Sequence, residues 1–139
     1  MKISLCSACV ILVTAATGLS GCKRDADSAT GLTGTWKLVS REECFCAPGP
    51  TPNETAAFTA TGFSFTRNGQ IFDQGKYVQD RVPKCGTTAP VPVLRLTTGT
   101  SSGQMPRNVA FTLNGNQLVL DYRNFCISDQ PVDTYQRLP

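Results

Sequence analysis

Length, composition and charge limit what this chain can be. It has 139 residues, with 13 Lys and Arg against 10 Asp and Glu, and a formal charge of +3. That balance is too even for a nucleic-acid partner, and no RNA-binding signature accompanies it. The length suits one domain with a single core. The chain has no histidine, so the commonest general base of enzymes is missing.

The first 21 residues predict a secretory signal peptide. Lys2 supplies a short positive region, and residues 3–19 are uncharged and mostly apolar. Ser, Thr and Gly dilute this run, which is also short of the roughly 20 apolar residues that a spanning helix needs. Residues 19–22, Leu-Ser-Gly-Cys, resemble the lipobox of bacterial lipoproteins. The resemblance implies cleavage before Cys22 and acylation of its thiol, for example with palmitate. The alternative is an ordinary signal with an incidental cysteine.

Residues 22–31 are predicted to form a lipidated flexible tether. After Cys22 the tether holds only charged or small residues. Two or three acyl chains give durable anchoring to a lipid membrane, whereas one chain alone is marginal. In the bacterial lipoprotein pattern an Asp after the acylated cysteine favours inner-membrane retention, and Lys23 stands there instead. The resemblance therefore implies an outer-membrane lipoprotein of the cell envelope, either periplasmic or surface-exposed.

Cysteine usage also indicates export. Cys6 and Cys9 leave with the signal peptide, and Cys22 takes the lipid. The remaining cysteines are Cys44, Cys46, Cys85 and Cys126. An even number in a small exported domain predicts disulfides. A bridge within the Cys-Phe-Cys stretch at 44–46 would be strained, so we expect one of that pair to join each of the other two. The two-residue spacing of a four-thiolate zinc site is absent, and we expect no metal or other cofactor.

From residue 32 to 139 the apolar pattern has a period of two. Short runs rich in Val, Phe, Thr, Leu and Tyr are separated by Gly, Pro, Asn and Asp. The expected strands lie near residues 34–40, 55–60, 62–67, 70–79 (bent at Gly75), 92–98, 107–113, 116–122 and 133–138. Many short strands with short connections favour an all-β domain. We expect an eight-stranded up-and-down antiparallel β-barrel, with a β-sandwich as the alternative.

Two Asn-Gly dipeptides, at 68–69 and 114–115, predict hairpins. Both positions of a type I′ turn need positive φ, which Asn and Gly tolerate. The turns fix the register of the flanking strands. The expected cross-strand pairs are Phe65 with Phe72, Phe111 with Leu118, and Val109 with Leu120.

Residues 32–39, Leu-Thr-Gly-Thr-Trp-Lys-Leu-Val, resemble the first strand of the lipocalin-like domains of bacterial lipoproteins. The family motif is Gly-x-Trp followed by alternating apolar residues, and Gly34 and Trp36 occupy its positions. In lipocalins a basic residue on the last strand packs over this Trp and closes the barrel floor. The resemblance implies that Arg137 does so here, as a cation–π contact. The proline-rich stretch 47–53 departs from the family pattern.

The interior of an eight-stranded barrel is filled by side chains or holds one small ligand. The candidate cavity-lining residues are Phe65, Phe72, Leu94, Leu96, Phe111, Leu118, Leu120 and Tyr135. The first function expected is binding of a small apolar ligand inside the barrel. The alternative is an envelope protein-interaction or inhibitor module that acts through loops 44–53 and 80–91. An enclosed apolar void of roughly 300 Å³ or more favours the first, and a filled barrel with protruding loops favours the second.

Catalysis is not expected. The chain has no Gly-x-Ser-x-Gly elbow and no phosphate loop or metal-binding set of oxygen ligands. Glu42 and Glu43 are adjacent, so on a strand their side chains would point to opposite faces. Asp121 and Asp133 are expected to face water. The sequence therefore predicts a binding protein rather than an enzyme.

Overall fold

The chain forms a closed antiparallel β-barrel in which each strand pairs with the next and the last pairs with the first. A computed structural model describes residues 31–42, 49–99, 105–125 and 129–139. Its strands are β1 (Gly34–Glu42), β2 (Glu54–Phe58), β3 (Gly62–Arg67), β4 (Gln70–Pro83), β5 (Pro90–Thr98), β6 (Arg107–Asn114), β7 (Gln117–Asp121) and β8 (Val132–Arg137). A short 3₁₀ turn, Tyr122–Phe125, follows β7. The predicted eight-stranded up-and-down barrel is confirmed, and the sheet closes on itself instead of splitting into a sandwich.

Alternation along the strands separates the interior from the exterior. In β2, for example, Glu54, Ala56 and Phe58 are buried while Thr55 and Ala57 between them are partly exposed. The buried apolar cluster consists of Leu32, Trp36, Leu38, Ala56, Phe58, Phe63, Phe65, Tyr77, Leu94, Leu96, Val109, Leu118, Leu120 and Tyr135. One hydrophobic core therefore fills the barrel along most of its length.

The two ends of the barrel differ in chemistry. At one end, which we call the floor, Trp36 near the start of β1 lies opposite Arg137 at the end of β8. At the other end, which we call the mouth, Arg41 lies opposite Asp133, and Glu54 at the start of β2 lies opposite the end of β3. At the floor one arginine covers an apolar residue, whereas the mouth carries several paired charges.

The upstream hairpin has the predicted turn but not the predicted pair. Residues 68–69 have φ values of 52° and 81°, as a type I′ turn requires. The register then shifts by one residue, so Phe65 pairs with Asp73. Phe72 is the extra residue of a β-bulge, and 51% of its surface is exposed. The prediction that Phe72 lies inside the barrel opposite Phe65 is therefore wrong.

The downstream hairpin turns one residue later than predicted. Gly115, with φ of 55°, and Asn116 form the turn, and Gly at the first central position is typical of a type II′ turn. Phe111 pairs with Leu120 and not with Leu118. All the predicted pairs of this hairpin are thus displaced by two residues. A shift of two keeps every side chain on its predicted face, so the core assignment survives.

The fourth strand is continuous across Gly75, which pairs with Phe63 on one side and Thr98 on the other. A Cβ atom at Gly75 would lie 2.0 Å from the carbonyl oxygen of Thr97. No side-chain rotation relieves a clash with backbone. Glycine is therefore required there by the close approach of β5 to β4.

We expect the substitution Gly75→Ala to lower the free energy of unfolding by about 3 kcal/mol, because the backbone of β5 must move to admit the methyl group. Gly99→Ala is the matched control, since its Cβ would meet nothing closer than the carbonyl oxygen of Gln74 at 3.7 Å. Urea unfolding of the two variants measures the difference. Equal losses of unfolding free energy in the two variants would show that β5 moves away from Gly75 without destabilising the barrel.

The residues tied to export lie largely outside the described ranges, and these include Cys22, Cys44, Cys46 and Cys126. Cys85 forms a disulfide whose other half also lies outside them. The predicted pairing therefore stays a prediction, as does the signal peptide. Within the described ranges no helix has the length and apolar character needed to cross a membrane.

Candidate binding site at the barrel mouth

Within the described part of the chain, three carboxylates are buried inside the mouth: Glu54, Asp73 and Asp133. Asp133 was expected to face water, and that expectation is wrong. Each acid lies at an inward position of its strand, two residues from a core side chain in the cases of Glu54 and Asp133. Burying a carboxylate is costly unless it is paired and hydrogen-bonded. The mouth therefore depends on the cations that meet these three groups.

Arg41 links two of the buried acids. Its Nε and Nη2 atoms donate to the two oxygens of Asp133 at 2.6 and 2.7 Å, and Nη2 lies 3.3 and 3.4 Å from the oxygens of Glu54. The hydrogen bond with Asp133 raises the pKa of Arg41 more than burial lowers it. A register shift between Leu38 and Ser40 places Arg41 on the inner face of β1. The arginine at this strand end is part of the interior.

Glu54 is the centre of the network. Its Oε2 accepts hydrogen bonds from Nη2 and Nε of Arg67 at 2.9 and 3.1 Å, and its Oε1 accepts the hydroxyl of Tyr135 at 2.8 Å. Burial raises the pKa of Tyr135 and also that of Tyr122, so both phenols stay protonated. Tyr135 therefore joins the apolar core below to the charged mouth above.

The third acid, Asp73, pairs with Arg107 and accepts a hydrogen bond from Oγ1 of Thr98 at 3.2 Å. The pair is asymmetric, because 47% of the Arg107 side chain is exposed against 9% of Asp73. The same asymmetry holds for Arg67, at 45%, and Glu54, at 2%. Among the described residues the network has three arginines and three acids, and Arg67 and Arg107 are more exposed than the acids with which they pair.

A hollow of about 250 Å³ lies within this network. It is lined by Arg41, Glu54, Phe65, Arg67, Phe72, Arg107, Tyr122, Gln130, Pro131 and Asp133. We call it the mouth hollow. Its apolar wall is formed by Phe65 and Phe72, whose ring centres are 6.1 Å apart, and the guanidinium carbon of Arg67 lies 4.7 Å from the ring centre of Phe72. Aromatic and cationic groups thus meet at one opening.

Most of the predicted cavity-lining residues pack against each other in the core. Those that are almost completely buried are Phe65, Leu94, Leu96, Leu118, Leu120 and Tyr135. Phe111 is partly buried against the same cluster, and Phe72 is exposed at the mouth. Inside the barrel, Phe58 makes edge-to-face contacts with Phe65 and Tyr77, whose ring centres lie 6.1 and 5.5 Å from its own. Of the predicted set, Phe65 and Phe72 line the mouth hollow.

The floor holds the three residues that were predicted to close the barrel. The guanidinium carbon of Arg137 lies 4.1 Å from the ring centre of Trp36, and Arg137 donates to the carbonyls of Gly31 and Thr33. The indole Nε1 of Trp36 donates to a carbonyl of the same segment, that of Leu32, at 2.9 Å. A Cβ at Gly34, where φ is 139°, would lie 2.7 Å from Arg137 Nη1. This end of the barrel is capped.

A second depression, of about 460 Å³, lies on the barrel wall around Gly75 and is more open. Its lining includes one lysine, Lys76, and no carboxylate. Specific sites combine an apolar wall with a few convergent polar groups. The mouth hollow has both, so we take it as the candidate site in preference to the larger wall depression.

No protein-family model, curated protein or solved structure matches this chain. Among the residues that the structure describes, no group of three or more His, Cys, Asp or Glu side chains could hold a metal ion. The function is therefore inferred from the N-terminal sequence and from the geometry of the mouth.

Proposed function

We propose that this protein is an outer-membrane lipoprotein of the bacterial envelope, anchored through acylated Cys22, whose lipocalin-like barrel binds a small ligand at its mouth. The lipobox-like residues 19–22 support the anchor. The observation that carries the binding role is the mouth hollow, where Phe72 and two half-exposed arginines surround an open space of about 250 Å³. The protein acts by binding and carries out no reaction.

The mouth suits a ligand better than the barrel interior does. Below the mouth the interior is occupied by packed aromatic and aliphatic side chains. Above them, Arg67 and Arg107 are held by buried acids, so their positions are set before a ligand arrives. Groups held in place in this way lose little conformational entropy on binding. The hollow is slightly smaller than the roughly 300–1,000 Å³ of ordinary small-molecule pockets, which favours a ligand of modest size.

A second candidate function is recognition of an envelope protein through the mouth rim. Three large apolar side chains are exposed in this region: Ile71 and Phe72 after the β3–β4 turn, and Met105 just before β6. Exposed apolar groups that lie together are typical of interaction sites. A partner could insert one side chain into the mouth hollow and cover the rim.

Native mass spectrometry distinguishes these functions when the acylated protein is extracted from its own envelope. We expect the wild-type protein to retain a small molecule that the variant Phe72→Ala loses. Val78→Ala is the matched control, because Val78 is exposed on the same strand but does not line the mouth hollow. A co-purifying protein would support the second function, and a wild-type protein without any bound molecule would contradict the first.

The anchor has a direct test. The variant Cys22→Ala should no longer incorporate labelled palmitate, because the acylated thiol is gone, and the protein should leave the membrane fraction. Ser28→Ala changes the tether without touching the lipobox and should label normally. Continued labelling of Cys22→Ala would refute the lipid anchor while leaving the mouth site unaffected.

A further inference from the structure

We infer that the ligand of the mouth hollow is an amphipathic anion, with a carboxylate-type or phosphate-type head at Arg67 and Arg107 and an apolar group against Phe72. This inference rests on the proposed function, which makes the mouth hollow a binding site, and adds the chemical class of the ligand. Three features of the mouth carry it.

The first feature is the different depth of the charges. Arg67 and Arg107 are half-exposed, whereas the acids with which they pair are buried beneath them. A ligand that enters from solvent therefore meets guanidinium groups before it meets carboxylates. Arginine presents five N–H donors in a fixed fork that suits carboxylate and phosphate oxygens. An anionic head is attracted at this opening, and a cationic head is repelled.

The second feature is the set of arginine N–H donors that the internal ion pairs do not use. Arg67 uses Nε and Nη2 to bind Glu54, so the N–H groups of its Nη1 lie outside that pair. Arg107 uses Nη2 to bind Asp73, so its Nε and Nη1 lie outside that pair. The N–H groups outside these two pairs are the donors that we assign to the anion.

The acids themselves are poor partners for a cationic ligand. Both oxygens of Asp133 accept hydrogen bonds from Arg41. In Glu54, Oε1 accepts Tyr135 and Oε2 accepts Arg67. A cation that displaced Arg41 or Arg67 from these acids would break charge-assisted bonds, which are about twice as strong as neutral ones.

The third feature is the aromatic wall beside the donors. The guanidinium of Arg67 lies over the ring of Phe72, which also stacks against Phe65. An apolar group packed on Phe72 would lie next to an anionic head on Arg67. The limited volume of the hollow excludes long acyl chains from lying wholly inside, so we expect one ring or a short chain.

Four probes with one scaffold test this inference: 3-phenylpropionate, 3-phenylpropyl phosphate, 3-phenylpropan-1-ol and 3-phenylpropylamine. Binding is measured by equilibrium dialysis of the acylated protein in zwitterionic nanodiscs, with empty nanodiscs as the blank. We expect at least one anion to bind about tenfold or more tightly than the alcohol, as one charge-assisted hydrogen bond provides. The amine should bind more weakly than the alcohol. The two anionic probes show whether the site prefers a carboxylate or a phosphate.

The variants Arg67→Gln and Arg107→Gln should each weaken binding of the preferred anion about tenfold and leave binding of the alcohol nearly unchanged. Retained alcohol binding also shows that the variant is folded around an intact hollow. Arg67→Lys gives a second variant, in which a positive charge still lies next to Glu54. Phe72→Ala should weaken binding of every probe. Arg95→Gln is the control, because Arg95 pairs with Asp80 outside the hollow.

The failures of the two proposals are distinguishable. If the alcohol binds as tightly as the anions and Phe72→Ala abolishes both, the mouth is a binding site but the anionic class is wrong. If the amine binds best, the class is also wrong. If no probe binds, this inference is overturned, and native mass spectrometry of the envelope-extracted protein still decides the proposed function.

Discussion

Replacing Arg41 with Met should lower the free energy of unfolding by about 4 kcal/mol, within the range of 3–5 kcal/mol found when one partner of a buried ion pair is removed. Asp133 is buried, and both its oxygens accept hydrogen bonds from Arg41. Glu54 loses a further contact with the same guanidinium. The methionine side chain fills a similar length, so the loss reports mainly on the charge left unpaired.

An exposed ion pair supplies the control. Arg95 and Asp80 have side chains that are 42% and 41% exposed, and such pairs contribute about 0–1 kcal/mol. Urea unfolding at neutral pH should therefore show a small change for Arg95→Met beside the large change for Arg41→Met. The double variant Arg41→Met with Asp133→Leu should recover part of the loss, because it removes the unpaired acid as well. Similar losses for the two single variants would mean that water reaches Asp133.

The barrel itself could be predicted because the sequence patterns that specify its strands and turns are local. Alternating apolar residues identify a strand and its inner face, and Asn-Gly at 68–69 identifies a turn at which Arg67 pairs with Gln70, as observed. Gly-x-Trp at one end and Arg137 at the other suggested which strands close the barrel. These signals each span a few residues, and they agree with one another.

Two of the differences between prediction and structure follow from β-bulges, which leave no clear mark in the sequence. One extra residue in a strand reverses the face of every residue beyond it. The bulge in β4 puts Phe72 at the opening instead of in the core, and the irregularity after Leu38 turns Arg41 inward. A strict period of two assigns both residues to the wrong side.

The charged network could not be predicted, although part of its signal is present. Glu54 stands two residues before Ala56, and Asp133 stands two before Tyr135, so the same period that buries the apolar residues buries the acids. Charged residues are usually exposed, and this general tendency argues more strongly for exposure than the two-residue alternation argues for burial. What reverses it is a partner such as Arg41, which is 92 positions from Asp133 in the chain. Only the closure of β8 on β1 brings them together.

Replacing Trp36 with Ala should lower the free energy of unfolding by about 4 kcal/mol, as large-to-small changes of buried aromatic residues do. Trp36 is fully buried at the floor. The substitution leaves a cavity and removes the hydrogen bond to Leu32. Phe72→Ala is the comparison at the opposite end of the barrel, and because Phe72 is half-exposed we expect it to cost about 1 kcal/mol.

The contact between Trp36 and Arg137 contributes only part of that loss, and a double-mutant cycle isolates it. Arg137→Met alone removes the cation over the indole and the donors to Gly31 and Thr33. If the guanidinium holds the indole in place, the effects of Trp36→Ala and Arg137→Met should fall short of additivity by about 1 kcal/mol. Additive effects would mean that the two residues stabilise the floor independently, and that the last strand closes the barrel through its backbone hydrogen bonds to β1 alone.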